Sequence, residues 1–483
     1  MAVTDPVLVV DVGTSSVRVA VVDGDAQIRA EQREPLLPSS PAPGLVEFDA
    51  ARLAEIVRRL AVAAVDAHGP VAAVGIANQR GTSVLWDRAT GAPVGPAIVW
   101  QDLRTVGRCL ELRADGLQIG PNESATKLEA LLEQADPART RDLCFGTVDS
   151  WVAWALSDGS LHVTDATNAA VTGLRRRAGD EWSETALAAL RVPHQVLPKV
   201  VDSSGLLGTA TAVPGHPPVA GILGDQQASL LGQACVRPGQ AKITFGTGAM
   251  LDVVVGADRP DFNRGPAGTV TIITRRVAGH VTWGVEAIAL AAGTNIEWLR
   301  DDLGLIPDAA SSHRIAAEAV DTGDVWFVPA LLGLGTPSWD YGARGTLLGL
   351  TRGTTAAQIV RAVLVGVAHR GADLVDAATA DAATQIDVLR VDGGMTANPT
   401  FLQALADTTQ RPVEVAPVRE ATTLGAAFAA GAAVGIWSDD EAVGATWKPA
   451  DRLGPRERPD RERWHAAVER AGGWIPELSA LQV

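Results

Sequence analysis

The chain has 483 residues, 47 % of them hydrophobic and 20 % charged, with a formal net charge of −15. That length is more than one growing core accommodates and points to two large domains. The acidic balance excludes broad binding to nucleic acid or anionic membrane surfaces, though not a local cationic pocket for a phosphorylated ligand. Cys109, Cys144 and Cys235 are scattered and lack Cys-x-x-Cys spacing, which argues against a disulfide framework or zinc cluster and suits a reducing cytoplasm. A strand begins within the first few residues without a signal-peptide pattern, and no apolar run reaches membrane-span length.

The opening stretch Val7–Asp23 reads as two β-branched strands around the polar turn Gly13-Thr14-Ser15-Ser16. Gly13 lets backbone pass close to a ligand, and the hydroxyls and N–H groups of Thr14, Ser15 and Ser16 can surround phosphate oxygens. Asp11 is placed to hold a hydrated Mg²⁺, and Arg18 supplies a positive fork. An ordinary hairpin with a hydroxyl-rich turn is the alternative. A third strand follows Gly24-Asp25, then a helix from about Asp49 to Ala67 with Asp49 as N-cap and Leu53, Ile56, Val57 and Leu60 as its apolar stripe. Strand Val71–Ala77 ends in Asn78-Gln79-Arg80-Gly81-Thr82, and polar residues at a strand end usually face the ligand cleft of an α/β domain. Arg80 can clamp a polyol or pair with a carboxylate, and Trp100 in Trp100-Gln101-Asp102 can wall a sugar pocket or fill core.

Helices are expected over Ser124–Gln134, over Thr147–Leu156 with Asp149 as N-cap, and from Ala178 to Ala188; Val163–Ala169 reads as a polar structural turn. Ala220–Ser229 is a short strand meeting Asp225-Gln226 and then a helix. There Asp225 can accept a proton from a substrate hydroxyl or simply cap the helix. Lys242–Val255 repeats the opening's design with the turn Gly246-Thr247-Gly248, so a domain boundary is set near residue 240, giving domains 1–240 and 241–483 with the two turns facing across a cleft. A hairpin spans Thr269–Glu286, a helical stretch runs from Ala287 through Gly293 and Leu299, and one helix covers Thr355–Asp373. Strand Val388–Val391 leads into Asp392-Gly393-Gly394, where paired glycines let an adenine lie against backbone and Asn398 offers a hydrogen bond. Val413–Val415 reads as an edge strand, and Thr422–Ala433 as a helix of near-continuous small residues.

In this order, Asp11–Arg18, Asn78-Gln79-Arg80, Trp100-Gln101-Asp102, Gly224-Asp225-Gln226-Gln227, Phe245-Gly246-Thr247-Gly248 and Asp392-Gly393-Gly394 resemble the FGGY carbohydrate kinases. The long loop Val328–Asp340 and its continuation to Gly353 are similar to the glycerol kinase branch. The resemblance covers about residues 6 to 437 and implies a two-domain α/β fold of the actin/hexokinase/Hsp70-like ATPase type (ribonuclease H-like), with an interdomain cleft for ATP–Mg²⁺ and a small polyol or sugar. By the same resemblance Thr14, Ser15, Ser16, Arg18, Thr247 and Gly248 would meet nucleotide phosphates, with Asp11 near the metal. Gly293, Glu297, Gly394 and Asn398 would line the nucleotide site. Asp225 would be the catalytic base, and Arg80, Gly81, Trp100, Asn122, Gln226 and Met250 would border the acceptor.

Two departures stand out. Gly81 replaces a glutamate that in glycerol kinases follows Asn-Gln-Arg, and Pro121-Asn122-Glu123-Ser124 replaces Pro-Tyr-Phe-Ser. A carboxylate and an aromatic wall are thereby lost, so a larger pocket, for a tetritol or pentitol, is expected unless Glu123 swings in. The leading expectation is an ATP-dependent polyol kinase, with a larger-polyol or xylulokinase-like ketose kinase as the alternative enzyme. A non-catalytic nucleotide-responsive binding protein is the alternative of another class. The resemblance also admits a homodimer or homotetramer.

Overall fold

The computed structural model describes residues 5–175, 181–418 and 420–480. The chain forms two compact units: Met1–Ala234, Ile272–Thr282 and Glu420–Thr446 in the first, Cys235–Thr271, Trp283–Arg419 and Trp447–Val483 in the second. The first passage from one to the other falls between Ala234 and Cys235, and two later segments return to the first unit, so no single cut separates them.

In the first unit, strand Val7–Val12 pairs antiparallel with Ser16–Val22 and parallel with Ala73–Asn78. Ser16–Val22 pairs antiparallel with Ile28–Pro35, and Ala73–Asn78 pairs parallel with Pro218–Gly224. Val7 to Val10 and Val12 are fully buried, as a central strand covered on both faces requires. Helix Ala50–His68 starts where the Asp49 carboxylate accepts from the Ala51 and Arg52 N–H groups, and it sinks Leu53, Ile56, Val57 and Leu60 into the core.

Helix Ala421–Ala433 explains why a late segment belongs to this unit. Its small residues let backbone meet backbone. A Cβ on Gly75 would overlap the Ala426 carbonyl, and one on Gly221 would stand 2.5 Å from the Ala430 nitrogen. The same helix crosses Asp225–Gly232 at Gly425, where a Cβ would overlap the Ala228 carbonyl.

The second unit repeats the plan. Ala241–Phe245 pairs antiparallel with Ala249–Gly256, which pairs antiparallel with the Trp283–Ala289 stretch; Ala241–Phe245 also pairs parallel with Leu389–Asp392, itself parallel to Val413–Val415. Phe245, Leu251, Val367 and Phe401 lie in its separate core. Helix Ala356–Ala382 opens with a capping box made by Thr355 and Gln358.

Some local expectations are corrected. Residues 287–289 extend strand His280–Ala289; helix begins only at Thr294 and ends in a π-turn over Trp298–Asp302. Val413–Val415 is no edge, because Asp451–Leu453 pairs with its free side. Val163–Ala169 is strand Val163–Asp165 running into helix Ala166–Ala170, capped by Asp165. The expected helix start at Ala178 lies outside the described residues; the helix seen is Glu184–Ala189. Asp149 is not the cap of helix Val148–Leu156, whose N-cap is Thr147. Its carboxylate is buried and accepts hydrogen bonds from Thr147 Oγ1, Thr164 Oγ1 (2.8 Å) and the Asp165 N–H (3.1 Å).

Two measurements test this packing. Gly425→Ala forces a methyl group into the Ala228 carbonyl and should lower unfolding stability by about 1–3 kcal/mol, read from the urea midpoint. An unchanged midpoint would show that the two helices are not in such close contact. Burial, with the neighbouring Asp165 charge adding, pushes the Asp149 carboxyl up to about 6 from an ordinary 3.8. The folded state therefore holds this proton more tightly than the unfolded chain, and the stability it brings is lost as pH rises through about 6. Relative to Asp149→Asn, the native protein should lose stability between about pH 4 and pH 7; parallel pH profiles would contradict this assignment.

Candidate active site

Strand register assembles the site in the first unit. Asp11 stands opposite Ala77 and Val12 opposite Asn78, while Leu223 stands opposite Ala77 and Gly224 opposite Asn78. Three adjacent parallel strands thus end at one level. The turn Gly13–Ser15, the stretch Gln79–Thr82 and the first turn of helix Asp225–Gly232 leave the sheet side by side, where ligand crevices of α/β sheets form.

A chain of hydrogen bonds ties these exits together. The Gln79 N–H donates to the Val12 carbonyl (2.8 Å) and its Nε2 to the Gly13 carbonyl (3.2 Å). Thr82 Oγ1 donates to Gln79 Oε1 (3.0 Å), and accepts from the Trp100 N–H (3.2 Å). Trp100 Nε1 in turn donates to Thr14 Oγ1 (3.2 Å), so the indole assigned to the acceptor and the hydroxyl assigned to phosphate are direct neighbours.

Asp225 is the first residue of its helix, after the N-cap Gly224, and its side chain is 32 % exposed. Oδ1 accepts from the Gln226 N–H (2.8 Å) and lies 3.5 Å from Arg80 Nε. Gly224 leaves room for this pairing, because a Cβ there would stand 2.8 Å from Arg80 Cγ and Cδ. The arrangement presents a partly open carboxylate, steadied by a guanidinium, to whatever enters beside Trp100.

Asp11 is its buried counterpart. Arg18 Nη1 approaches Oδ2 at 3.3 Å, and Thr423 Oγ1 donates to the same oxygen at 3.3 Å. Burial pushes the Asp11 carboxyl up to about 6; Arg18 opposes the rise and the Asp225 charge adds to it. Arg18 also faces Glu31 (3.2 Å) and Glu420 (3.6 Å), so its charge is shared. A divalent cation would relieve this crowded negative charge, and one or two carboxylates completed by phosphate oxygens are the donor set Mg²⁺ favours. Among the described residues there is no group of three or more His, Cys, Asp or Glu able to hold a metal, so a dedicated protein cage is not what this site offers.

The structure corrects the expectation of a widened pocket at Gly81. Gly81 adopts φ +72°, and a Cβ there would overlap the Asn122 carbonyl oxygen and come within 3.5 Å of Trp100 Cβ. Backbone of the Gly120–Ser124 turn occupies the room that a side chain at 81 would need. That turn is pinned: Ser124 Oγ donates to the Gly81 carbonyl (3.1 Å), and fully buried Lys127 donates through Nζ to the carbonyls of Pro121 (2.5 Å) and Glu123 (2.9 Å). Burial lowers the Lys127 ammonium to about 8. The Glu123 carboxylate is engaged within its own turn, its Oε2 accepting from the Gly120 N–H at 2.6 Å. The Asn122 side chain is exposed.

The second unit gathers its own turn. Thr244 lies opposite Asp392 across parallel strands, which brings Gly246-Thr247-Gly248 beside Gly393-Gly394. The Gly293 N–H donates to the Gly246 carbonyl (2.9 Å), and a Cβ on Gly293 would stand 2.6 Å from that oxygen. Gly246, Thr247 and Gly394 are exposed. Glu297 is exposed at the end of the short helix Thr294–Glu297, and Met250 is half-buried opposite Thr244 and Ile288. Asn398 is occupied structurally: its Oδ1 accepts from the Phe401 N–H as the N-cap of helix Pro399–Thr409, and its Nδ2 donates to Ser312 Oγ (2.9 Å).

The first unit thus brings together Asp11, Thr14, Arg18, Arg80, Trp100, Asp225 and Gln226, and the second brings together Thr247, Gly248, Gly293 and Gly394. Sequence reasoning missed Gln79, Thr82 and Thr423. The first two lay inside a stretch already singled out; Thr423, 412 positions from Asp11, carries no local signal.

Comparison with known proteins agrees with this architecture. Residues 6–232 match the N-terminal domain, and residues 241–434 the C-terminal domain, of the FGGY family of carbohydrate kinases. The chain is 44 % identical to a glycerol kinase of Aromatoleum aromaticum, over 97 % of this chain and 99 % of the relative. It is 42 % identical to a glycerol kinase of Trichlorobacter lovleyi, with the same coverage. Among solved structures, Plasmodium falciparum glycerol kinase with ADP superposes with a TM-score of 0.90 at 29 % identity, covering 97 % of this chain and 98 % of that one. The fold is the two-domain α/β fold of the actin/hexokinase-like ATPases, and the chain belongs to the FGGY family of carbohydrate kinases.

Proposed function

We propose that the protein transfers the γ-phosphoryl group of ATP to a primary hydroxyl of a small polyol, with glycerol the first acceptor to test. The observation that carries this reading is the Asp225–Arg80 pair, which leaves the sheet at the same level as Asp11 and the Gly13–Ser15 turn. The glycerol kinase names of the relatives support the choice of acceptor.

In this proposal Trp100 and Arg80 hold the polyol, Gln226 orients a hydroxyl, and Met250 and the Asn122 turn border the acceptor. Asp225 accepts the proton of the attacking hydroxyl as the new oxygen–phosphorus bond forms and the bond to ADP breaks; the proton then leaves to solvent. Thr14, Ser15, Ser16 and Arg18 contact phosphate oxygens from the first unit. Thr247 and Gly248 do so from the second, where Gly293, Glu297, Gly394 and Asn398 line the nucleotide, Asn398 as wall because its amide is already engaged. Asp11 would hold Mg²⁺, which when bound neutralises charge on the phosphate oxygens. Little covalent work falls to the protein; its contribution is position and fixed charge.

Asp225→Asn should abolish ADP release coupled to glycerol while leaving ATP binding, measured by calorimetry, within a few-fold of the native value. Normal turnover by that variant would remove Asp225 from its role. Gly81→Glu, which restores the glutamate of glycerol kinases, should not raise activity. The left-handed backbone and the Asn122 carbonyl should instead cost about 1–3 kcal/mol of stability and weaken glycerol binding. A variant with lower glycerol KM and an unchanged unfolding midpoint would show that the turn yields readily.

A further inference from the structure

Behind the site lies a buried polar cluster that takes no direct part in the proposed chemistry. Asp165, Thr167, Asn168 and Asn78 are fully buried, and Ser203 is nearly so. Such a cluster is costly to bury unless every group is satisfied, and here the bonds run in a defined direction. Asp165 Oδ1 accepts from Thr167 Oγ1 (2.8 Å), the Asn168 N–H (2.9 Å) and Asn168 Nδ2 (2.9 Å). Its Oδ2 accepts from Ser203 Oγ (2.7 Å) and the Thr167 N–H (3.0 Å).

Thr167 has one hydroxyl proton, and it points to Asp165. Its lone pairs are left to accept, and what they accept is the Gly224 N–H at 2.9 Å. Gly224 is the N-cap of the helix that begins with Asp225. Asn168 reaches the neighbouring exit. Its Oδ1 accepts from Asn78 Nδ2 (2.8 Å), and Asn78 Oδ1 accepts from Asn168 Nδ2 (3.1 Å). Asn78 Nδ2 also donates to the Gln79 carbonyl (2.9 Å), immediately before Arg80.

We propose that Thr167 and Asn168, both oriented by Asp165, are positioning residues that set Asp225 and Arg80 relative to one another. The inference rests on the reading of Asp225 as the base that receives the acceptor proton. One short helix, Ala166–Ala170, holds the residue before Asp225 through Thr167 and the segment leading to Arg80 through Asn168. The 3.5 Å approach of Arg80 to Asp225 is then fixed from below rather than left to two side chains at a partly open surface. Small misplacements of reacting groups cost large factors in rate, so the anchor should act on turnover more than on nucleotide binding.

The test compares Thr167→Val, which keeps shape and removes the hydroxyl, with Thr167→Ser, which restores it. In glycerol-dependent ADP release the valine variant should lose about tenfold or more in kcat with KM for ATP within about twofold of native, and the serine variant should recover most of that loss. Should the valine variant not fold, Thr167→Ala against Thr167→Ser reads the same hydroxyl. Equal kcat in the hydroxyl-free and serine variants would overturn the positioning role, as would an equal fall in ATP affinity and kcat. If the native protein transfers phosphoryl to neither glycerol nor a larger polyol, the Asp225 reading fails first and takes this inference with it; an active native protein with indifferent Thr167 variants isolates failure of the inference alone.

Discussion

The parallel pairing of three strands is the constraint from which the first unit's site follows. Because Val12, Asn78 and Gly224 share one register, three segments distant in sequence must turn away from the sheet at one height. A one-residue slip would send each strand's side chains to the opposite face and carry Asp11 away from Arg18 and Thr423. The sheet register therefore sets the common level of the site's three exits. Backbone-level packing of helix Ala421–Ala433 on Gly75 and Gly221 reinforces it from one side, while bringing Thr423 to Asp11.

What was legible in the sequence was what local chemistry writes plainly. The two hairpins around Gly13–Ser16 and Gly246–Gly248 combine β-branched strands with polar or glycine turns, and both form as expected. Asp49 caps its helix as its position before the apolar stripe implies, its carboxylate accepting from the Ala51 and Arg52 N–H groups. Asp149 looked equivalent but lies beside Thr164 and Asp165, partners supplied by a strand that the local pattern had presented as a turn. Residues 287–289 looked helical from their small side chains, yet Ala287 and Ala289 pair with Leu251 and Ala249 across the sheet, and tertiary pairing overrides propensity. The return of residues 420–446 to the first unit had no local signature, since glycines and alanines announce a close approach without naming the surface approached.

The acceptor side illustrates how a missing side chain differs from an empty space. Removing a glutamate would open a cavity only if its surroundings stayed in place. Here the Gly120–Ser124 turn brings the Asn122 carbonyl against Gly81, and Lys127 pins that turn with two hydrogen bonds from a fully buried ammonium. The room beside Gly81 is therefore taken by a neutral main-chain carbonyl, which does not titrate.

The buried carboxylates carry the same logic one layer deeper. A carboxyl inside a core is pushed toward its protonated form, and burial raises that of Asp165 above the ordinary carboxylate range, while the five donors it collects oppose the rise. Apolar residues of similar volume would satisfy the core without such donors, but they could not impose direction on Thr167 and Asn168. A hydroxyl rotates freely until one partner accepts its hydrogen bond; once Asp165 does so, the remaining lone pairs have only the Gly224 N–H to meet at hydrogen-bond distance among the described residues. The acid thus converts two rotatable side chains into fixed struts beneath two strand ends. Stability alone does not call for such an arrangement, whereas a carboxylate and a guanidinium that must be held at one separation do.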